Sequence, residues 1–492
     1  MKKFVSILLA LAMILALSIP VSAAENTSLT INNSNGRTYN GYQLLKLTTS
    51  LNCEENHDHE DDCYNYAYTV NKKYETILQA QAGTDADIIA YLNGLTSDSD
   101  SGYGSLRAVA DSIYTEILKD NIEPDAAGLD GSDTIDQGYW LFADVSNLTG
   151  NASNSLVMVD TKGQDALTIT PKTALPTVVK KVMDTNDTTG ATTDWQDSAD
   201  YDIGDEVPFQ LTATLPDNLA FYNKYTISFH DTLSAGLTLD VSSIEVTANG
   251  VDVTDKFDLP ANAASEFEIA CEDILLIDGV NAGTVFVVTY TATLNDDAVI
   301  GEAGNPNEVY LEFSNDPYST EGSTGKTETD KVTVFTYQLT INKVDADQAP
   351  LKGAAFTLYK KNANGTYEPI GSPKAGTGEN ENVFQWKGLD DGDYKLVEST
   401  VPDGYNKMTD VEFTISAEHE AESADPKLTS LTSSLGTATD GVIEKNIENK
   451  TGTVLPETGA KGTMILITVS TLFIMVAAVF MITRKKMSVY ED

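Results

Sequence analysis

Apolar and polar residues alternate one for one along 207–215, and the same period of two returns along 285–294, 332–341 and 356–359. A helix would scatter that pattern around its circumference, whereas a strand sorts it onto two faces, one for a core and one for water. Helical spacing is confined to the first third of the chain. There 74–81 and 86–95 are compatible with helices, and Val109, Ile113 and Ile117 recur at near-helical spacing within 106–118. The expected fold is mainly β: an N-terminal domain containing both helices and strands, then two all-β sandwiches. A length of 492 residues suits three domains of ordinary size.

The ends of the chain read differently from its interior. Lys2 and Lys3 precede an apolar run over 4–19, followed by Pro20, Val21, Ser22, Ala23 and Ala24. That is the order of a secretory leader, with cleavage expected after Ala23 or Ala24. At the other end 463–483 carries no charge, and at about 1.5 Å per residue it reaches roughly 30 Å, one hydrocarbon core. Arg484, Lys485 and Lys486 follow at once and should stay cytoplasmic, which puts everything upstream outside the cell. With 74 acidic against 31 basic residues the net charge is −43, a balance that repels phosphate backbones and excludes nucleic acid as a partner.

Composition shifts mark the divisions between these regions. Pro171 and Pro176 should hold 170–176 extended between domains, and 315–331 is a second polar, glycine-containing stretch with the character of a linker. The division that follows is a leader over 1–24, an N-terminal domain over 25–172, a middle sandwich over 173–335, a last sandwich over 336–454 and a C-terminal signal over 455–492.

Both sandwiches open on a lysine that shares a strand face with apolar neighbours. Lys180 follows Val178 and precedes Val182, and Lys343 follows Ile341; Lys181 is the rival to Lys180 but points to the other face. An ammonium buried without a partner costs several kcal/mol, or loses its proton. A neutral amine is a nucleophile. Beside an asparagine amide, with a protonated carboxyl to relay protons, it can form an intramolecular amide and expel ammonia without any other enzyme. Both sandwiches also end near an asparagine placed on a strand: Asn307 ahead of 308–313, and Asn449 after Ile443, Lys445 and Ile447 at period two.

Leu455, Pro456, Glu457, Thr458 and Gly459, followed by the apolar span and the basic tail, closely resemble the cell-wall sorting signal of Gram-positive surface proteins. The resemblance implies that a membrane sortase attacks the carbonyl of Thr458, releases Gly459 and passes the chain on to peptidoglycan or to another protein. Residues 394–405, with Tyr394, Leu396, Glu398, Pro402, Gly404 and Tyr405, resemble the signature of collagen-adhesin B-type domains, with Ser399 in place of threonine and Val401 in place of alanine. That match implies an immunoglobulin-like sandwich in which Lys343 bonds to Asn449 and Glu398 is the promoting acid. Residues 177–318 are similar to the middle domain of sortase-assembled backbone pilins through Ile203, Gly204 and Asp205 and through 230–237, which implies a second set of Lys180, Asp231 and Asn307. The run 167–172 resembles the pilin motif, whose lysine accepts the preceding subunit; Lys172 matches it, with Thr170 where the family has tyrosine.

Cys53, His57, His59 and Cys63 gather two of the three cysteines and two of the four histidines into one acidic loop. They could form a tetrahedral zinc site, or Cys53 and Cys63 could close a disulfide, natural outside the cell, and the sequence leaves both open. Cys271 is expected to be unpaired and buried on a strand. No nucleophile elbow and no HExxH motif occurs, and His230 and His419 have no catalytic company in the sequence, which argues against a hydrolase. The resulting expectation is a non-enzymatic structural subunit that needs no cofactor. A sortase would polymerise it through Thr458 and Lys172 into an extracellular, wall-anchored fimbrium of identical subunits with minor tip and base pilins. The alternative is a monomeric wall-anchored adhesin built from the same modules.

Overall fold

The computed structural model describes residues 26–31, 36–51, 64–96, 104–148, 150–169, 174–319 and 322–452. The leader, Lys172, the Cys53–Cys63 loop, the LPETG motif and the span over 463–483 lie outside the described residues. No helix among the described residues is long and apolar enough to cross a membrane.

The chain is mainly β, as the alternation predicts. In the N-terminal region the long strand Tyr39–Leu51 pairs with Tyr64–Val70, Ala126–Leu129 and Gly138–Asp144, and Leu156–Asp160 completes that sheet. The expected helices form as Glu75–Ala82, Ile88–Asn93 and Gly104–Lys119. The Asp87 carboxylate starts the second helix by accepting from the backbone N–H groups of Ile89 and Ala90, donors that the first helical turn leaves free. The third buries Val109, Ile113, Tyr114 and Ile117 against Tyr42, Leu44 and Leu141 of the sheet. A small second sheet sets the first described strand, Asn26–Ile31, parallel to Ala166–Ile169.

The middle sandwich faces two sheets across one core that includes Val182, Phe209, Phe229, Phe286 and Leu311. One sheet runs Val251–Asp252, Glu245–Ala248, Val285–Leu294, Glu206–Thr214 and Thr177–Val182; the other runs Ser198–Asp200, Asp330–Phe335, Asn305–Ser314, Ile227–Leu233 and Glu266–Cys271. In the strand Val285–Leu294 every second residue is buried, the pattern its sequence requires. Cys271 is free and buried there, at the end of its strand. The last sandwich packs Tyr337–Val344, Val383–Leu389 and Val442–Glu448 against Ala355–Lys361, Gly392–Thr400 and Val411–His419 around Trp386, Phe356 and Tyr394.

Two readings of the sequence change. Residues 315–331 are not a spacer: Thr324–Lys326 hydrogen-bonds to Asn305–Ser314, and Tyr318 packs edge-on to Tyr114 with ring centroids 4.8 Å apart. A short polar edge strand has the composition of a linker because one of its faces meets water. The alternation over 332–341 is also two strands, not one. Asp330–Phe335 completes the middle sandwich and Tyr337–Val344 opens the last, with Thr336 between them accepting at its carbonyl from the N–H of Gly301.

The two sandwiches meet closely at this point. Gly388 has a φ of +72°, and a Cβ there would lie 2.3 Å from side-chain carbons of Ile203 in the middle sandwich. A Gly388→Ala substitution should therefore destabilise the last sandwich by about 1–3 kcal/mol. Chemical denaturation will show that loss, and Ile203→Ala should restore part of it; an unchanged Gly388→Ala variant would mean that the two surfaces do not touch.

Candidate functional site

Lys180 enters the middle core because its strand, Thr177–Val182, buries Val178, Lys180 and Val182 on one face while Lys181 stays half-buried beside Asp197 and Glu422. The Lys180 ammonium position lies 5.6 Å from the Phe209 ring centroid and 5.4 Å from that of Tyr290. Its Nζ donates to Asp231 Oδ2 and to Tyr290 Oη, the latter at 2.9 Å. Tyr290 Oη in turn donates to Asp231 Oδ2 at 2.9 Å and accepts from Asn307 Nδ2 at 2.8 Å. One phenol therefore joins lysine, acid and amide. Burial pulls the Lys180 pKa down, against the opposing pull of Asp231, and burial pushes the Asp231 carboxyl up, against Lys180. The pair is thereby biased toward a neutral amine and a neutral acid. Lys180 belongs to one sheet and Asp231 and Asn307 to the other, so the constellation spans the core.

In the last sandwich Lys343 and Glu398 come from facing sheets. Lys343 Nζ donates to the carbonyl of Ile447 at 2.9 Å, and Asn449 Nδ2 donates to Glu398 Oε1 at 2.7 Å. The N–H of Met408 holds the other Glu398 oxygen at 2.8 Å. Lys343 and Asn449 are respectively 0% and 1% exposed. Burial lowers the Lys343 pKa to about 8, with Glu398 and Glu448 pulling the other way. Asn449 stands just past Val442–Glu448 and not within a strand, its N–H bound to the carbonyl of Val344. Lys445, grouped with Ile443 and Ile447 by period, is exposed. In both constellations the asparagine Oδ1 is buried without a hydrogen-bond partner.

Tyr290 was not among the residues singled out from the sequence. Its signal is its parity: it occupies the inward position shared by Phe286, Val288, Ala292 and Leu294, where a hydroxyl must find a partner in the core. His419, which has no company in the sequence, has it in space. Ser198 Oγ lies 2.7 Å from its Nδ1, and Asp200 and Asp184 lie 3.6 and 3.7 Å from its Nε2. These are the residue types of a hydrolytic triad, yet Ser198 is buried and its hydroxyl donates to the carbonyl of Glu420 at 2.7 Å. Burial opposes charge on His419, but the two aspartates prevail and hold its pKa at about 9, so it is a cation at neutral pH and no base. His230 stacks on Tyr310 at 4.7 Å. Lys172, Leu455, Pro456, Glu457, Thr458, Gly459, Cys53, His57, His59 and Cys63 lie outside the described residues.

Residues 337–427 match the SpaA prealbumin-like fold domain, and 447–488 match the LPXTG cell wall anchor motif. Stacked β-domains ahead of that motif define a modular, wall-anchored extracellular surface protein. Within that class the chain is 28% identical over 301 residues to the trypsin-resistant surface T6 protein of Streptococcus pyogenes serotype M6, in a match covering 55% of this chain and 51% of the relative. The chain thus spans about half the length of that curated relative. The fold is similar to the solved T6 backbone pilin of the same organism, with a TM-score of 0.52 at 18% identity, over 89% of this chain and 100% of that one.

The position of Lys343 has a pH consequence. In an Asn449→Ala variant Lys343 is a free amine. The folded amine gives up its proton near 8, whereas the unfolded one keeps it to the ordinary value of 10.5. Between those values the unfolded chain binds more protons, so stability should rise with pH across that window. Denaturation midpoints measured through the window should show the rise, and adding Lys343→Met should abolish it; an equal rise in both variants would show that Lys343 is not the titrating group.

Proposed function

We propose that the chain is the structural backbone subunit of a sortase-assembled, wall-anchored pilus, with both sandwiches closed by internal lysine–asparagine amides. The observation that carries the reading is the pair of buried lysines, each set with a buried carboxyl group and an asparagine amide, in consecutive domains upstream of a wall-anchor motif. In each case the neutral lysine Nζ attacks the asparagine Cγ, the new C–N bond replaces the bond to Nδ2, and the acid delivers the proton with which ammonia leaves and takes back the one that the amine gives up. The acids are Asp231 and Glu398. Tyr290 holds Lys180, Asp231 and Asn307 to one oxygen. Between subunits, the sortase acyl-enzyme formed at Thr458 is resolved by Lys172 of the next chain. Covalent joints suit such a fibre, since a folding free energy of about 10 kcal/mol does not resist sustained pulling. The similarity to a surface protein and to a backbone pilin supports this reading.

Intact mass is the direct test of the internal bonds. The secreted protein should be lighter than its sequence by two ammonia, and Asp231→Ala and Glu398→Ala should each restore one, with Tyr290→Phe leaving part of the population unbonded. A full, unmodified mass would end the proposal of internal bonds.

Polymerisation is tested separately. Wall extracts from a Gram-positive host carrying the cognate sortase should give a ladder stable in hot detergent, and Lys172→Ala should collapse it to anchored monomer. A ladder that survives the substitution would move the joint to another lysine. Anchored monomer from the unaltered chain would make the protein a monomeric adhesin.

A further inference from the structure

We propose that a calcium ion binds at the joint between the middle and last sandwiches, held by Asp200, Asp390 and Asp391 with the Tyr337 hydroxyl beside them. The inference is independent of whether the buried lysines are bonded. Asp200 ends the strand Ser198–Asp200 of the middle sandwich, Asp390 and Asp391 form the turn between Val383–Leu389 and Gly392–Thr400 of the last, and Tyr337 is the first strand residue after the joint. One oxygen from each carboxylate lies within 4.8 Å of the others. Asp200 and Asp390 are buried and Asp391 half-buried, so water screens their repulsion poorly.

The cations facing this cluster are engaged around its edge. Lys360 Nζ contacts Asp187 at 2.8 Å, Asp202 at 2.6 Å and Asp390 at 3.0 Å, and His419 contacts Asp200 from the Oδ1 side. Two buried polar atoms are left over. Asp200 Oδ2 is buried without a hydrogen-bond partner, as is Tyr337 Oη, which belongs to a residue 0% exposed and lies beside Asp200. Atoms of this kind inside a protein are ordinarily satisfied. A cation between the three carboxylates would take up Asp200 Oδ2 and give the phenol oxygen a ligand position or a bound water to meet. Burial, together with Asp200, pushes Asp390 well above the usual carboxylate range and Asp391 to about 6, although Lys360 pulls both the other way.

The donor set selects the ion. All three ligands are carboxylates and no thiolate is near, which suits a hard cation. Calcium accepts six to eight oxygens in irregular geometry, whereas magnesium demands a near-ideal octahedron and retains its waters. An extracellular site can work at submillimolar affinity, since such modules bind calcium at about 10⁻⁴–10⁻³ M.

The test uses the mature protein, stripped with chelator and titrated with calcium chloride in physiological salt by calorimetry, and with terbium by tyrosine-sensitised luminescence. One calcium per chain should bind in preference to magnesium, raise the unfolding temperature of the two sandwiches and displace terbium. Asp391→Asn, at a half-buried position that tolerates the amide, should weaken binding at least about tenfold. Tyr337→Phe should reduce the sensitised emission while the protein stays folded. Asp187→Asn, beyond Lys360, should leave binding unchanged. Unsaturable uptake equal in the unaltered and Asp391→Asn proteins would be diffuse attraction to an acidic surface and would overturn the proposal. So would an absence of uptake with a joint that stabilises only on acidification, which would show that protons fill the cluster.

Discussion

An ammonium group cannot enter a protein core alone, and three lysines among the described residues do enter one. Lys180 and Lys343 are resolved one way: burial draws both pKa values down, and each faces a buried carboxyl that is hydrogen-bonded, directly or through Tyr290, to an asparagine amide. Lys360 is resolved the other way. Burial opposes its charge as well, but Asp390 and Asp202, with Asp187, surround it, and its pKa is held well above the ordinary value. The first solution favours a neutral amine, and the second ties two domains together. The number of carboxylates in contact, not depth of burial alone, separates the two outcomes.

The two lysine constellations differ in what they connect. In the middle sandwich lysine stands in one sheet and asparagine in the other, with Tyr290 reaching across from the lysine's side. In the last sandwich Lys343 and Asn449 sit at the ends of neighbouring parallel strands, and the acid comes from the facing sheet. The same three side-chain types are therefore assembled on different scaffolds, which fits a chemistry that depends on local burial and hydrogen bonding more than on one strand order.

Much of this was legible before any coordinates. A period of two places Lys180 with Val178 and Val182 and its rival Lys181 on the other face; Glu398 followed from a motif whose spacing is fixed by a strand, and Asn449 from the same family resemblance at the end of a period-two run. What could not be read was whatever several distant segments make together. Lys360 meets Asp187, Asp202 and Asp390, and His419 meets Ser198, Asp184 and Asp200, through a joint that no local pattern announces. The joint itself was hidden because the alternating run slips phase by only one residue, at Val334–Phe335, and the polar stretch 315–331 looked like a spacer because an edge strand and a linker share a composition.

Strand direction at the domain boundaries decides how each domain would meet a pull along the chain. Asn26–Ile31 lies parallel to Ala166–Ile169, and Tyr337–Val344 parallel to Val442–Glu448, so in the first and last domains the entry and exit strands are hydrogen-bonded neighbours. Opposed forces at their far ends load those ladders in shear, and all the hydrogen bonds must fail together. The middle sandwich is built differently: Thr177–Val182 and Asp330–Phe335 belong to different sheets. A pull there acts to part the sheets, against apolar contacts that yield progressively. The Lys180 constellation bridges that gap, so the mechanically weakest join of the three domains and the most deeply buried lysine of the middle sandwich coincide.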